Sequence, residues 1–113
     1  MDGRELVVGL DIGTTSVKAV LFDIKGKLLD EVEEMITTHH PESGWAEQDP
    51  QEIETKAILA LKRILQPIDF EQNKLHGIGF STAMHSLICV DREKNALSNM
   101  IIWSDGRSSQ QAE

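Results

Sequence analysis

The chain has 113 residues, 40% of them hydrophobic, and a formal net charge of −8. That length holds one domain at most, and no apolar run approaches a membrane span. Nucleic acid is excluded as a partner, because the eleven Lys and Arg residues are scattered and form no basic patch.

Two apolar runs open the chain. Glu5–Leu10 and Val17–Asp23 read as buried strands, and the polar stretch between them reads as the tight turn that joins them. Asp23-Ile24-Lys25-Gly26 is a hairpin turn. In Lys27–Ile36, residues Leu28, Leu29, Val32, Met35 and Ile36 fall at helical spacing, and the Glu-rich remainder also favours helix. Thr37–Asp49 is rich in turn formers and reads as a loop; its adjacent His39 and His40 point apart and suggest no metal site.

Asp49-Pro50-Gln51-Glu52 is a helix start, with Asp49 at the N-cap, Pro50 at the first helical position and Glu52 completing a capping box. The helix is expected to bury Ile53, Ala57, Ile58, Leu61, Ile64 and Leu65 and to end before Pro67. Leu75–Ser81, Leu87–Asp91 and Met100–Trp103 follow as strands. Cys89, the single cysteine, lies in an apolar run and is expected to be a core residue in a reducing cytoplasm. Ser108–Glu113 reads as the first turns of a helix with no stop signal, so an N-terminal fragment of a longer protein is expected. By itself this pattern predicts a mixed α/β sheet with helices on it.

Chemistry concentrates in three segments. In Asp11-Ile12-Gly13-Thr14-Thr15-Ser16, a turn with outward N–H groups and hydroxyls offers an anion-seeking surface. Asp11 beside phosphate oxygens calls for a divalent cation between them. The bland alternative is a hairpin turn in which Gly13 supplies a positive φ and Asp11 caps a local N–H. In Gly77-Ile78-Gly79-Phe80-Ser81-Thr82-Ala83-Met84-His85-Ser86, an apolar strand runs into small polar residues, and strand ends are where ligands collect in open sheets. Here Met84 could be core and His85 a turn residue. In Trp103-Ser104-Asp105-Gly106-Arg107, Asp105 can cap a helix. Arg107 can pair with a carboxylate, either structural or on an acid substrate. Trp103 can stack on a ligand or pack inside.

These segments, in this order, resemble the carbohydrate kinases of the FGGY family, within the actin-like ATPase superfamily. The first phosphate-binding segment of those kinases looks like Leu10–Lys18 followed by a strand ending in Phe22-Asp23. Gly44-Trp45-Ala46-Glu47-Gln48-Asp49-Pro50 resembles the segment before their first helix, where Trp45 packs and Glu47 and Gln48 fix the loop. Met84-His85 resemble a sugar-contacting pair of the xylulose kinases. Ala83 and Ser86 depart from that group's glutamine and glycine and look more like the gluconate kinases.

The resemblance implies a ribonuclease H-like mixed sheet, with residues 1–113 forming the N-terminal part of the first domain. It makes Lys27–Ile36 a third antiparallel strand, the natural continuation of the meander after Gly26. It implies ATP and Mg²⁺, with Asp11, Gly13, Thr14, Thr15, Ser16 and Lys18 at the phosphates and Asp11 holding the metal indirectly. It implies Met84, His85, Trp103, Asp105 and Arg107 at the sugar. The general-base aspartate is expected beyond Glu113, so the chain alone is expected to be inactive. Gluconate is the favoured acceptor, with xylulose or another pentulose or polyol next. A non-kinase actin-type ATP-binding module and a non-catalytic domain of the same fold are the competing readings. A cytoplasmic enzyme follows; a homodimer is compatible with the resemblance, which does not fix the oligomeric state.

Overall fold

The computed structural model describes residues 3–112. Strand β1 (Glu5–Ile12) pairs antiparallel with β2 (Ser16–Asp23), which pairs antiparallel with β3 (Leu28–Met35). A 16-residue helix, α1 (Pro50–Leu65), then crosses over the sheet. Strand β5 (Lys74–Thr82) returns parallel to β1, and the sheet order is β3-β2-β1-β5. Two short strands, β4 (Glu47–Gln48) and β6 (Met100–Ile101), pair antiparallel in a second small sheet. This meander, crossover helix and parallel strand form the expected ribonuclease H-like core.

The core lies between the sheet and α1. Alternation places Leu6, Val8 and Leu10 of β1 and Val17, Ala19 and Leu21 of β2 on one face, where they pack with Ala60 and Ile64 of the helix. Burying each such side chain is worth about 1.5–3 kcal/mol. Asp49 caps α1, its carboxylate accepting from the Gln51 N–H at 2.9 Å. The capping box does not close: Glu52 instead accepts from the Thr37 N–H at 2.6 Å and ties the preceding loop to the helix. Ile58, expected on the buried stripe, is exposed, and Ala60 takes the contact with the sheet.

Leu28–Met35 is strand despite its helical spacing. Gly26, at φ 88°, allows the reversal, and Asp23 Oδ1 accepts from the N–H groups of Lys25 and Lys27 at 2.9 Å each. Those bonds hold the Asp23 carboxyl below its usual pKa, the Lys27 N–H foremost. β2 then offers β3 a full ladder of partners, and tertiary pairing overrides local propensity.

Further expectations are corrected. The loop 37–49 contains β4, since its end finds a partner in β6. Leu87–Asp91 forms no strand: Leu87 bridges Ile101 and Val90 bridges Ala96 as isolated pairs, and Cys89 is exposed and outside the core. β6 ends at Ile101, and 108–112 is a series of turns in place of a helix, because bonds such as Ser109 N–H to Gly106 and Gln111 N–H to Ser108 span three residues. Glu113 lies outside the described residues. Among the described residues no helix is long and apolar enough to cross a membrane.

Candidate functional site

The parallel strands β1 and β5 end side by side, with Ile12 opposite Thr82, and the Ala83 N–H extends the ladder to the Ile12 carbonyl at 3.0 Å. Beyond these carboxyl ends opens a cleft of about 410 Å³ lined by Asp11, Gly13, Thr14, Thr82, Ala83, Met84, His85 and Trp103. Residues from three separate sequence segments therefore face one space, at the place where open sheets collect ligands.

The turn between β1 and β2 is held from several sides. Gly13 N–H donates to the Ser16 carbonyl at 2.9 Å, and Ile36 N–H donates to the Thr15 carbonyl at 2.9 Å. Gly13 needs no positive φ, contrary to the hairpin alternative. A Cβ there would lie 3.3 Å from the Ser16 carbonyl oxygen, so any larger residue would press on that carbonyl and glycine suits the close approach. Asp11 is exposed at the cleft edge. Among the described residues no three His, Cys, Asp or Glu side chains gather to hold a metal. One free carboxylate suits a magnesium ion that keeps its waters and takes its other ligands from phosphate.

Of the residues expected at the phosphates, Thr15, Ser16 and Lys18 do not line the cleft; Thr15 is exposed on the turn beside Thr14. The Ser16 hydroxyl donates to Glu33 Oε2 at 3.1 Å, and Lys18 Nζ lies 3.4 Å from Glu31 and 3.8 Å from Glu33. These are contacts across the β2–β3 ladder.

On the opposite wall, Met84 is 71% exposed and Trp103 62%, so neither belongs to the core. His85 is also exposed and sits at φ 61°, in the left-handed region that a side chain with a Cβ disfavours. Such strain is retained where the surroundings fix it, and it clusters at functional sites.

Asp105 and Arg107 are placed elsewhere. Arg107 donates from Nε and from its terminal nitrogen to Asp105 at 2.8–3.0 Å and to Glu47 Oε2 at 2.6 Å. Its guanidinium stacks over Trp45 at 3.9 Å from the ring centroid. Asp105 Oδ1 also accepts from the Ala46 N–H at 2.7 Å. Arg107 holds the Asp105 carboxyl down at about 2 and the Glu47 carboxyl below its usual range, while both carboxylates raise the guanidinium. This clamp fastens the Gly44–Gln48 segment to the strand end that carries Trp103. Gly106 approaches closely here as well: its N–H donates to the Gly44 carbonyl at 2.7 Å, and a Cβ would lie 3.3 Å from that oxygen.

Gln48 has more reach than a loop-fixing role suggests. From β4 its Nε2 donates to the Thr14 carbonyl at 2.5 Å and to Thr38 Oγ1 at 3.2 Å. The sequence offers no signal for this, since the acceptor is a backbone group 34 residues away.

A sheet of this topology with its cleft at the β1 turn defines the actin-like ATPase fold. Residues 6–113 match the N-terminal domain of the FGGY family of carbohydrate kinases, and the chain belongs to that family. It is 36% identical over 107 residues to the xylulose kinase of Staphylococcus xylosus, covering 95% of this chain and 22% of that protein. It is 39% identical over 102 residues to the gluconokinase of Bacillus licheniformis, covering 90% and 20%. The gluconate kinase structure from Lactobacillus acidophilus superposes with a TM-score of 0.89 at 32% identity, over 96% of this chain and 21% of that one. The chain thus spans about a fifth of the length of the relatives it matches.

Proposed function

We propose that residues 1–113 form the N-terminal part of the first domain of a cytoplasmic, ATP-dependent carbohydrate kinase, which moves the γ-phosphoryl of ATP to a hydroxyl of a sugar or sugar acid. The observation that carries this reading is that Asp11, Gly13 and Thr14 share one cleft with Met84, His85 and Trp103. Phosphoryl transfer asks a protein mainly to position two reactants and to neutralise charge.

In this reading the N–H groups and hydroxyls of Gly13, Thr14 and Thr15 cradle the phosphates. Asp11 holds Mg²⁺ through water, and the metal supplies charge neutralisation at the phosphates. Met84 and Trp103 pack against the carbon faces of the acceptor, and His85 hydrogen-bonds a hydroxyl. Ser16 and Lys18 reach the phosphates only by leaving Glu33 and Glu31, which makes them secondary ligands. Asp105 and Arg107 serve the sugar pocket by fastening the strand end that carries Trp103. The proton acceptor is an aspartate outside this chain.

Gluconate is the favoured acceptor, supported by the Ser81–Ser86 pattern and by the 39% identity to a gluconokinase. Xylulose is the second reading. Arg107, the cation that could read a carboxylate, is already bonded to Asp105 and Glu47, and among the described residues no Lys or Arg lines the cleft. Both readings are tested on the full-length protein by measuring ADP release with MgATP and, in turn, gluconate, xylulose and glycerol. Acceptor-dependent ADP release is expected, with the highest kcat/KM for gluconate. Release without any dependence on acceptor would refute the kinase reading, and a preference for xylulose would establish the second.

A further inference from the structure

Gln48 belongs to neither wall of the cleft, yet it is a buried polar side chain, 1% exposed, bonded directly to the phosphate turn. It lies behind that turn, in a small apolar pocket of about 180 Å³ that also includes Ile12, Gly13 and Ile53. Gly13 faces this pocket and the cleft alike.

A trans peptide is planar, with its C=O and N–H on opposite edges. Drawing the Thr14 carbonyl back toward Gln48 therefore turns the Thr15 N–H away from Gln48. Among the described residues that N–H forms no bond to another backbone group. An N–H held outward at a turn is what an anion requires. The support behind Gln48 is firm: β4 pairs with β6, and the neighbouring Glu47 is clamped by Arg107 at 2.6 Å.

We propose that Gln48 is a positioning residue, whose bond to the Thr14 carbonyl fixes the Thr14–Thr15 peptide so that the Thr15 N–H is presented to the phosphates of MgATP. This rests on the kinase reading. It distinguishes Gln48 from a scaffold residue, because a scaffold residue would affect both substrates alike.

The test uses the full-length protein. Gln48→Glu keeps the size but presents acceptors only when ionised, and Gln48→Met keeps the length without a polar atom. Thr38→Val removes the second partner of Gln48 and leaves the bond to Thr14. Michaelis constants for MgATP and for the acceptor are measured beside the Tm, with MgATP affinity read separately by calorimetry. Both Gln48 variants are expected to raise the MgATP KM and Kd by about 10- to 100-fold, the loss expected when one hydrogen bond to a charged group is no longer made, with the acceptor KM within about twofold. Thr38→Val should stay close to the unaltered protein.

Unchanged MgATP constants overturn the proposal, as do both substrates' constants rising together, or Thr38→Val having the same effect. If Gln48→Glu does not fold, Gln48→Met decides by the same criteria. Failure of both to fold assigns Gln48 to the scaffold and equally overturns it. The unaltered protein is assayed first: no acceptor-dependent ADP release is a failure of the kinase reading, and calorimetry still reads the Gln48 effect.

Discussion

His85 carries two properties that two substitutions can separate. Its backbone sits at φ 61° while its ring faces the cleft beside Met84 and Trp103. For a residue with a Cβ, the left-handed region costs roughly 1–2 kcal/mol. His85→Ala keeps that cost and removes the imidazole, whereas His85→Gly removes both. Glycine also gives back about 0.4–1 kcal/mol through the freedom it gains in the unfolded chain. The net advantage of the glycine variant over the alanine variant therefore lies between about 0 and 1.6 kcal/mol, centred on about 0.8 kcal/mol. In a domain of 150–250 residues the central value is roughly 1–4 °C in Tm. Both variants of the full-length protein should lose acceptor affinity equally, with the MgATP KM little changed. Thermal unfolding and steady-state kinetics on the pair check this. A glycine variant no more stable than the alanine variant would refute the strain argument, and damage mainly in the MgATP KM would refute the placement of His85 on the acceptor wall.

Asp11→Ala should lower turnover by orders of magnitude with little change in Tm, since the residue is exposed at a strand end; near-normal kcat would remove it from the phosphate site. Gly13→Ala should press a methyl group on the Ser16 carbonyl and raise the MgATP KM severalfold, while Tm changes little because alanine restricts the unfolded chain; an unaltered KM would show that the turn yields freely. Arg107→Met should lower Tm at neutral pH and raise the acceptor KM by loosening the strand end that carries Trp103. Its pH dependence has a defined sign. Asp105 titrates at about 2 in the folded protein against 3.8 ordinarily, so its contribution is present above that ordinary value and is lost as pH falls through about 2. The Tm gap between the unaltered protein and Arg107→Met should be widest above about pH 4.5 and narrow toward pH 2, whereas a constant gap would separate the clamp from stability.

Much of this fold was legible because the burial is one-sided. β1 and β2 announce themselves as two apolar runs around a polar turn, and α1 carries both its cap and its proline at the start. β3 was harder, since the spacing of Leu28, Leu29, Val32, Met35 and Ile36 favours helix. Only the reversal at Gly26 and the waiting edge of β2 decide for strand. Leu87–Asp91 misled in the other direction. Its apolar run sits at the surface with two isolated bridges, so hydrophobicity alone did not make a strand. That Asp11, Gly13, Met84 and His85 stand at strand ends and turns around one cleft was legible, because strand ends and turns are local features. A structural carboxylate pair for Arg107 and a loop-fixing part for Glu47 and Gln48 were legible too, but their partners across the chain were not: Thr14 lies 34 residues from Gln48, and Glu47 lies 60 from Arg107.

Charge shows how the two walls depend on one another. Lys18 is held by Glu31 and Glu33, and Arg107 by Asp105 and Glu47, so neither cation belongs to the lining of the cleft. The turn therefore meets a phosphate with N–H groups and hydroxyls alone, beside the negative charge of Asp11. Unit charges at 4 Å interact by about 4 kcal/mol near a protein surface, which would repel a bare nucleotide. On the kinase reading, a divalent cation between them would reverse the sign of that contact and make Asp11 an attraction. The Arg107 clamp then has a definite consequence on that reading: with its guanidinium engaged by Asp105 and Glu47, the wall that carries Met84 and Trp103 gains no charge from it. On the kinase reading, phosphate and acceptor are thus drawn to different halves of one cleft by different forces, while Gly13 and Ala83 line both that cleft and the apolar pocket behind it.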